Sequence, residues 1–586
     1  MKPLLRLLPY LRRHRRLLVI GAIAVVSSNL FTVIQPLLIG RAIDVLNAVL
    51  QKGEGATGDL AWYAASVVGC SVIAGIFSFL TRQTLIVASR HIEFDLRNDF
   101  LAHIQKLSLS FFQNTPTGDL MAHATNDIGA VRNVVGPGIM YPADTLVTFV
   151  MVISVMVTLD WQLTLFALVP LPFVSYAVYR LGKIVHQKFE ARQATYAELT
   201  TRAQENLSGI RVVKAYVREQ YEIGLFRALS LDYLTKNLVL ARVQSIMWPL
   251  MFLLIGFSLI LTMYFGGMRV ISGEITPGTW TAFFVYLGML IWPMIAFGWV
   301  INMLQQGSAS MGRLMKIMDT PADITDGPGT DRSVTAVEGA LEFRHVSFRH
   351  KGAERDTLSD ISLSVPAGTT LAIVGYTGSG KSTLVNLLPR LMDVTGGALL
   401  VDGRDIRTIP LEVLRSNIGY VPQETFLFSE TIAENIRYGV DGGSDAGVRE
   451  VADIAQLGKD VAEFPHGYET ILGERGITLS GGQKQRTSIA RALMRQPKIL
   501  ILDDALSAVD TYTEEEILKR LRGVMKGRTS IIISHRISTV KEADMIIVLH
   551  EGRIAERGTH DQLVAQNGIY AELHRKQLLE DEIEHL

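Results

Sequence analysis

The stretch "LAIVGYTGSGKST", from Leu371 to Thr383, decides the fold of the C-terminal half of the chain. Four apolar residues typical of a buried strand run into a glycine-rich loop, and the loop leads into the start of a helix. The loop matches the pattern G-x-x-x-x-G-K-[ST], in which backbone N–H groups and a helix N-terminus surround phosphate oxygens. The sequence therefore predicts a nucleoside triphosphate on this loop. The residues predicted to bind it are Gly375, Tyr376, Thr377, Gly378, Ser379, Gly380, Lys381, Ser382 and Thr383.

A second apolar run, "ILILDDALSAVD" from Ile499 to Asp510, ends on two consecutive acids. Asp503 stands where a buried strand would deliver a carboxylate to a metal ion. Together with the Ser382 hydroxyl it is predicted to hold Mg²⁺, directly or through water. The next residue, Asp504, occupies a position where a longer acid is expected if this strand serves a nucleotide hydrolase.

The composition limits the class of protein. The 586 residues are too many for one domain, and 48% of them are hydrophobic, which favours membrane segments. Basic and acidic residues balance at 57 each, so the charge indicates no nucleic-acid partner. The only cysteine, Cys70, excludes a disulfide within the chain and a cysteine-based metal site.

The N-terminal half contains long apolar stretches without charged residues. Because a spanning helix needs roughly 20 apolar residues, we expect six membrane spans. They are Leu17–Gly40, Leu60–Thr81, Thr145–Leu159, Trp161–Tyr179, Val243–Met268 and a stretch within Ile275–Ser310. The basic run "LRRHRR" before the first span predicts that the N-terminus lies in the cytoplasm. We expect the spans themselves to lie in the inner (cytoplasmic) cell membrane. The competing interpretation, a signal peptide, is disfavoured because the span is too long and lacks a cleavage site.

Two stretches between spans, 82–133 and 180–242, are far longer than loops require. Both are compatible with helices that continue into the cytoplasm. Each has a turn marked by Gly or Pro, at "QNTPTGDL" (Gln113–Leu120) and near "ENLSGIRVV" (Glu205–Val213). After Met318 a segment rich in Pro, Gly and Asp predicts a linker, and the remainder alternates strands and helices.

Several further motifs, taken together, carry a resemblance to a known family. "LSGGQ" (Leu479–Gln483) lies between the two nucleotide motifs, with Gln423 in "VPQETFLF", Asp510 in "SAVD" and His535 in "ISHR". This combination resembles the ATP-binding cassette (ABC) transporters, and the six-span half resembles ABC exporters of the half-transporter type. The resemblance implies an α-helical membrane domain, with six transmembrane helices and long cytoplasmic extensions, fused to an α/β P-loop nucleotide-binding domain. The predicted domains are 1–318, a linker at 319–336, and 337–586.

The resemblance also implies that two nucleotide-binding domains pair head to tail, so that a second half-transporter chain is needed. Each ATP would lie between one chain's phosphate loop and the other chain's signature, here Leu479, Ser480, Gly481, Gly482 and Gln483 with Asp510. Gln423 would join Ser382 and Asp503 at Mg²⁺, and Asp504, His535 and Gln423 would act in hydrolysis. The two turns look like the family's coupling helices, which dock on the nucleotide-binding domains.

Two positions depart from the family pattern. His350 stands where an adenine-stacking aromatic residue is usual, and its imidazole is still expected to stack on the adenine of ATP. Asp504 stands where the catalytic glutamate is usual. In heterodimeric ABC exporters, a chain with such a weak site pairs with a chain that carries the glutamate. We therefore predict a heterodimer. The alternative is a homodimer that hydrolyses ATP slowly at two identical sites.

The substrate is predicted only as a class: a hydrophobic small molecule, a lipid or a peptide moved out of the cytoplasm or the inner leaflet. An ATP-gated channel or an importer on the same scaffold remain alternatives. The polarizable residues of the last two spans offer a binding surface, although lipid-facing or packing roles are equally compatible with each. They are Met251, Met263, Met289, Trp292, Met294, Phe297 and Trp299. Asp144 either faces a cavity or is solvated at the membrane interface.

Overall fold

The computed structural model describes residues 2–584 apart from 53–56, 474–475, 477 and 510. The chain divides into two compact units. The first comprises Met1–Ile104 and Gly118–Asp319, and the second comprises Gln105–Thr117 and Thr320–Leu586. The segment around the first predicted turn therefore groups with the C-terminal half of the chain.

The first unit is built from helices, and the longest reach well beyond the thickness of a bilayer. Helix α12 has 53 residues, which corresponds to a length of about 80 Å against a hydrocarbon core of ~30 Å. The helices up to the end of this unit are α1 (Leu8–Arg13), α2 (Arg15–Lys52), α3 (Thr57–Thr81), α4 (Val87–Ile104), α5 (Leu109–Asn114), α6 (Thr117–Ala122), α7 (Ile128–Val135), α8 (Pro137–Leu159), α9 (Trp161–Leu168), α10 (Pro170–Ser208), α11 (Ile210–Ala215), α12 (Glu219–Ile271) and α13 (Pro277–Met318).

Within the described residues, four helical segments are long and apolar enough to cross a membrane: Arg15–Leu50, Gly58–Ile104, Thr117–Leu159 and Pro277–Met318. The fifth predicted span corresponds to the shorter apolar segment Ile255–Ile271. The fourth prediction, Trp161–Tyr179, is divided between α9 and α10. Pro170 opens α10 without a backbone N–H, which favours a helix boundary at this point.

Polar contacts gather where α8 meets α9 and where α12 meets α13. The Asp160 side chain accepts a hydrogen bond from Leu163 N at 2.8 Å and pairs with Arg269 at 2.8 Å. Asp44, near the end of α2, accepts from Gly278 N at 2.7 Å. Asp160 therefore lies in an ion pair at a helix junction.

The second unit contains two sheets. The strands are β1 (Leu341–Phe348), β2 (Leu358–Val365), β3 (Thr370–Val374), β4 (Gly396–Val401), β5 (Arg404–Asp405), β6 (Ile418–Val421), β7 (Ile499–Asp503), β8 (Thr529–Ile533), β9 (Met545–His550) and β10 (Arg553–Gly558). The antiparallel sheet has the order β2-β1-β4-β5, and the larger sheet has the order β10-β9-β3-β8-β7-β6. In the larger sheet β9, β3, β8, β7 and β6 are parallel. Their near-continuous apolar residues are buried, as expected for strands covered on both faces.

Helices surround the larger sheet and position its carboxyl-terminal edge. They are α14 (Lys381–Asn386), α15 (Leu411–Ser416), α16 (Ile432–Arg437), α17 (Asp445–Ile454), α18 (Gly458–Glu463), α19 (Gly481–Met494), α20 (Thr511–Met525), α21 (Ile537–Val540), α22 (His560–Gln566) and α23 (Ile569–Glu584). The predicted linker has no regular element, but polar contacts fasten it to the second unit. Asp326 accepts from Leu411 N at 2.9 Å, and Asp331 pairs with Arg404 at 3.0 Å.

Candidate active site

The phosphate loop joins β3 to α14 and depends on glycine backbone conformations. Gly375, Gly378 and Gly380 have φ values of 148°, 82° and 99°, a region that other residues adopt at a cost. A Cβ atom on Gly375 would lie 2.3 Å from the Leu549 carbonyl oxygen. The loop therefore needs glycine both for its path and for its close approach to β9.

Lys381 folds back over this loop. Its Nζ donates hydrogen bonds to the Gly375 oxygen at 2.9 Å and the Tyr376 oxygen at 3.0 Å. Burial lowers the pKa of the ammonium group, while the nearby charges of Asp504 and Asp503 act to raise it. The buried Ser379 hydroxyl has no hydrogen-bond partner among the described residues. A buried donor left over beside an ammonium group fits an anionic ligand such as a triphosphate.

Asp503 ends β7 almost fully buried, and the Ser382 hydroxyl donates to its Oδ1 at 3.1 Å. Burial raises the pKa of this carboxyl above its usual range, and the charge of Asp504 adds to this, although the Ser382 hydrogen bond and the charges of Lys381 and His535 act to lower it. A hydroxyl and a carboxylate in contact are hard oxygen ligands, and Mg²⁺ typically takes only one or two such groups from the protein beside phosphates. These two residues therefore fit a Mg²⁺ site.

Asp504 leaves the strand with a φ of 50° while its N–H donates to the Ile533 oxygen at 2.9 Å. Aspartate tolerates this left-handed conformation better than longer side chains do. The side chain is half-buried beside Lys381, whose pKa its charge raises. The backbone at this position therefore suits aspartate, although its carboxylate reaches less far than that of glutamate.

The other predicted site residues follow strands of the same sheet. Gln423 comes after β6 and His535 after β8, and both flank β7 with exposed side chains. Because parallel strands end at one edge, these side chains gather around Asp503. His350 lies after β1 in the antiparallel sheet, where its ring makes a T-shaped contact with Phe348 at 4.9 Å. Its adenine contact stays a prediction.

The segment "LSGGQ" forms the start of α19. The Ser480 hydroxyl accepts from Gln483 N at 3.3 Å, while Ser480 N donates to Gln483 Oε1 at 3.0 Å. This reciprocal pair is a capping box, and it leaves other N-terminal N–H groups of α19 available for an anion. Asp460 of α18 accepts from Gln483 at 2.9 Å and pairs with Arg486 at 2.7 Å, which fixes the orientation of the helix start.

Gln485 contributes to the site but was not predicted from the sequence. Its buried side chain donates to the Ser507 hydroxyl at 3.0 Å and to the Asp504 oxygen at 3.4 Å. It accepts from Ala508 N at 3.0 Å. One amide thus joins the signature helix to the segment after Asp504. The sequence offers one signal for this role, which is that a polar residue occupies a buried position of α19.

Glu514 was also missed. This buried carboxylate of α20 accepts from Arg536, which follows His535, and from Thr539. Arg536 also donates to the Val509 oxygen at 3.4 Å. The cluster links the loop that carries His535 to the segment just before Asp510. Asp510 itself lies outside the described residues.

Comparison with known proteins places this architecture in a family. The family model of the ABC transporter transmembrane region matches residues 18–294, and that of the ABC transporter matches residues 358–507. A probable multidrug resistance ABC transporter ATP-binding/permease protein of Bacillus subtilis (strain 168), YheI, is 39% identical over 96% of this chain and 95% of its own length. The chain belongs to the ABC transporters.

Two other relatives and a solved structure agree with this assignment. The multidrug resistance-like ATP-binding protein MdlA of Escherichia coli (strain K12) is 37% identical over 97% of this chain and 96% of its own length. The ATP-dependent lipid A-core flippase of Syntrophus aciditrophicus (strain SB) is 35% identical over 99% and 95%. A bacterial Atm1-family ABC exporter with ATP bound superposes with a TM-score of 0.80 at 29% identity, covering 96% of this chain and 99% of that one.

These comparisons confirm the predicted fold class, a helical membrane domain fused to an ABC nucleotide-binding domain. The transporter is a multi-pass membrane protein that binds and hydrolyses ATP. Its exporter architecture extends over nearly the whole chain.

Proposed function

We propose that this chain is one half of a heterodimeric, ATP-driven exporter in which it carries the slower of two ATP sites. The observation that carries the proposal is Asp504, an aspartate directly after Asp503, in a chain whose signature "LSGGQ" is intact. In a dimer, the signature of one chain completes the ATP site on the phosphate loop of the other chain. An intact signature is therefore useful even in a chain whose own ATP site is slow. Domains 1–318 and 337–586, joined by 319–336, would form the membrane and nucleotide-binding parts.

In this chain's own site, Lys381 and the loop N–H groups hold the phosphates, and Ser382, Asp503 and Gln423 hold Mg²⁺. The metal ion, when bound, neutralises phosphate charge. Asp504 orients and deprotonates the attacking water poorly, because its carboxylate lies about one C–C bond, ~1.5 Å, short of a glutamate carboxylate. A displacement of ~1 Å can lower the rate by on the order of 100-fold. His535 contacts the nucleotide from the end of β8, and His350 stacks on adenine.

In the fast site, this chain contributes its signature. Ser480, Gly481 and Gly482 at the start of α19, with Leu479, Gln483 and Asp510, contact the nucleotide held by the partner's phosphate loop. Two features support this role: the capped N-terminus of α19 and its fixation by Asp460.

Exposed apolar side chains around the second predicted turn support the proposal that a second chain binds there. Leu207, Val212, Tyr216 and Val217 are exposed at and beside α11. Adjacent apolar groups at one place on a protein surface are typical of an interaction site. Only part of the first turn, Gln113–Thr117, groups with the second unit, in which the Ser108 hydroxyl donates to Asp323 at 3.3 Å. We propose that both turns transmit the state of the nucleotide-binding domains to the membrane helices.

The exported cargo is proposed to be a hydrophobic small molecule or a lipid, since relatives are named for multidrug resistance and for lipid A-core flipping. Met263, Trp292 and Trp299 expose apolar surface in the last two spans, as a binding surface requires, while Met289 is partly buried. The side chains of Met251, Met294 and Phe297 lie outside the described residues. The N-terminus and the nucleotide-binding domain are proposed to lie in the cytoplasm, and the helices in the inner membrane.

The experiment measures ATP hydrolysis by the chain alone and by its complex with the half-transporter that copurifies with it. We expect little activity from the chain alone. In the complex, Asp504→Ala should leave turnover nearly unchanged, whereas changing the partner's glutamate to Gln should abolish it. Robust hydrolysis by the chain alone, lost on Asp504→Asn, would show a homodimer with Asp504 as its working base.

The direction of transport requires a separate measurement. ATP-dependent uptake of a fluorescent apolar dye into inside-out vesicles that contain the complex is the result expected for an exporter. ATP-dependent release of the dye from preloaded vesicles would indicate an importer, and flux that dissipates an existing gradient would indicate a channel.

A further inference from the structure

A polar cluster lies between two membrane helices of the first unit. The Asn29 amide of α2 donates to Asp144 Oδ1 of α8 at 2.7 Å, and the Thr148 hydroxyl donates to Asn29 Oδ1. Asn29 is buried, and its amide also donates to the Val25 oxygen at 3.0 Å. One neutral donor, the Asn29 amide of α2, therefore holds the carboxylate of Asp144, and the Thr148 hydroxyl fixes the orientation of that amide.

The cluster lies along the apolar part of α2 that is long enough to cross a membrane. Asn29 is near the middle of the charge-free stretch Leu17–Gly40, about 17 Å along the helix from either end. Because Asp144 is in hydrogen-bond contact with Asn29, its carboxylate lies beside this apolar stretch.

The charge of this carboxylate is not balanced by its neighbours. Among the described residues, Asp144 belongs to no ion pair, and its side-chain hydrogen bond comes from the neutral Asn29 amide. Charged side chains inside membranes are costly, and they pair with an opposite charge or line a substrate path. The geometry thus leaves a carboxylate beside a membrane-spanning apolar stretch without a cation to balance it among the described residues.

An aromatic pair lies beside the carboxylate. Tyr141 precedes Asp144 by one helical turn on the same face of α8, where side chains lie ~5–6 Å apart. Its ring makes a T-shaped contact with Trp299 of α13, with ring centroids 5.1 Å apart. Trp299 is 47% exposed, so much of its surface is open to a ligand. Aromatic faces beside a carboxylate attract organic ammonium groups through the ring quadrupole and through charge.

We infer that Asp144, Tyr141 and Trp299 form a binding site for the ammonium group of a lipophilic amine. Asp144 and Trp299 contact the cation, and Asn29 and Thr148 are positioning residues that orient the carboxylate. The apolar remainder of the ligand lies along the helices, in the hydrocarbon region. This inference rests on the proposed export function and narrows its cargo to cationic amphiphiles.

The test compares two probes that differ in one charge. Dansylcadaverine carries a primary ammonium group, and its N-acetyl derivative is neutral. Binding of each to the purified, nucleotide-free complex in lipid nanodiscs is followed by dansyl fluorescence. We expect Asp144→Asn, which keeps size and hydrogen bonding, to weaken amine binding about tenfold or more and to change binding of the neutral probe less than about twofold.

Two further variants make the result specific. Asp144→Glu should retain the preference for the amine, since it keeps the charge, and Trp299→Leu should reduce that preference, since it removes the aromatic face. Equal weakening of both probes by Asp144→Asn, or no weakening of the amine, would overturn the inference. Because binding is measured without ATP, failure of the two-site hydrolysis scheme would leave these results unchanged, and it would appear only in the ATPase assays.

Discussion

At the scale of single residues, the site around the phosphate loop combines buried charges of opposite sign. Lys381, Asp503 and Ser382 lie against one another at the edge of the larger sheet, and Asp504 follows in a left-handed backbone conformation. Each of these groups is already held by protein contacts before a nucleotide arrives. Such preorganisation lowers the cost of ordering the site on binding.

Lys381→Ala should remove the ammonium group that lies over the loop. We expect nucleotide affinity at this site, and transport by the complex, to fall sharply, because the phosphates lose their charged partner. Binding of a fluorescent ATP analogue and dye uptake into vesicles would measure the two effects. Lys526→Ala, at an exposed lysine of the same domain, is the matched control. ATP-dependent transport at the original rate in the Lys381 variant would refute the role assigned to this loop.

Asp504→Glu should lengthen the carboxylate toward the attacking water. We expect hydrolysis at this site to rise by on the order of 10- to 100-fold, since the loss assigned to the shorter acid is of that size. The same change should lower thermal stability by about 1 kcal/mol or less, because glutamate is less tolerant of the φ of 50°. Single-turnover ATPase measurements report the hydrolysis rate at this site, and thermal unfolding reports the change in stability. Unchanged hydrolysis would mean that the length of this acid is not what limits the site.

At the scale of elements, buried polar side chains connect the helices to the strand ends. Gln485 of α19 reaches the segment after Asp504, and Glu514 of α20 holds Arg536 next to His535. Both contacts reach the ends of β7 and β8, so a shift of either helix would move the site residues there.

Glu514→Gln should loosen the loop that carries His535. The variant loses the charged acceptor of Arg536, and we expect the free energy of unfolding to fall by ~2 kcal/mol, the range for a disrupted charge-assisted hydrogen bond. Single-turnover ATP hydrolysis at this chain's own site should fall with it, because His535 is no longer held, while steady-state turnover of the complex should change little. Thermal unfolding of the full chain and single-turnover ATPase measurements would show this. Glu515→Gln, an exposed neighbour on the same helix, should change neither quantity.

The first turn can be tested by cross-linking. In a chain with Cys70 replaced by Ser, cysteines at Ser108 and Asp323 should join efficiently through a short bifunctional thiol reagent, since their side chains lie in hydrogen-bond contact. Intramolecular cross-linking is read by the shift in gel mobility. The pair Ser108→Cys and Lys526→Cys is the control and should stay unlinked. A slow reaction of the first pair, no faster than the control, would contradict docking of this turn.

At the scale of the whole molecule, the chain exposes apolar side chains beside α11, where the proposed partner chain would make contact. Beside α11, Val217 is 82% exposed and has a φ of 53°, a conformation that β-branched residues rarely adopt. Strain of this kind is kept at functional sites when the surrounding structure requires it. We therefore expect Val217 to act in contact with the partner chain.

Val217→Asn should raise the stability of the chain and at the same time impair transport. Asparagine accepts the left-handed conformation, so the unfolding free energy should rise by about 1 kcal/mol, while the lost apolar contact should reduce transport per ATP hydrolysed. Thermal unfolding and paired measurements of dye uptake and ATPase activity would reveal the change. Val212→Asn, which lies within α11, should lower stability or leave it unchanged. Unchanged coupling in the Val217 variant would exclude a contact with the partner at this position.

The glycine-rich phosphate loop and most of the membrane segments could be predicted from the sequence, because each depends on local chemistry. Glycines at Gly375, Gly378 and Gly380 define the loop, and long apolar runs without charge define most of the spans. The division of Trp161–Tyr179 between two helices was less evident, since hydropathy does not show where a helix breaks.

Contacts between distant residues could not be predicted in this way. Asn29 and Asp144 are 115 residues apart in the chain, and Gln485 meets residues of the segment after β7. The local sequence around each residue does not show which distant residue it contacts, because that contact depends on how whole helices pack and rotate against one another. The contact of Asp144 with Asn29, and that of the neighbouring Tyr141 with Trp299, were therefore decided by tertiary packing alone.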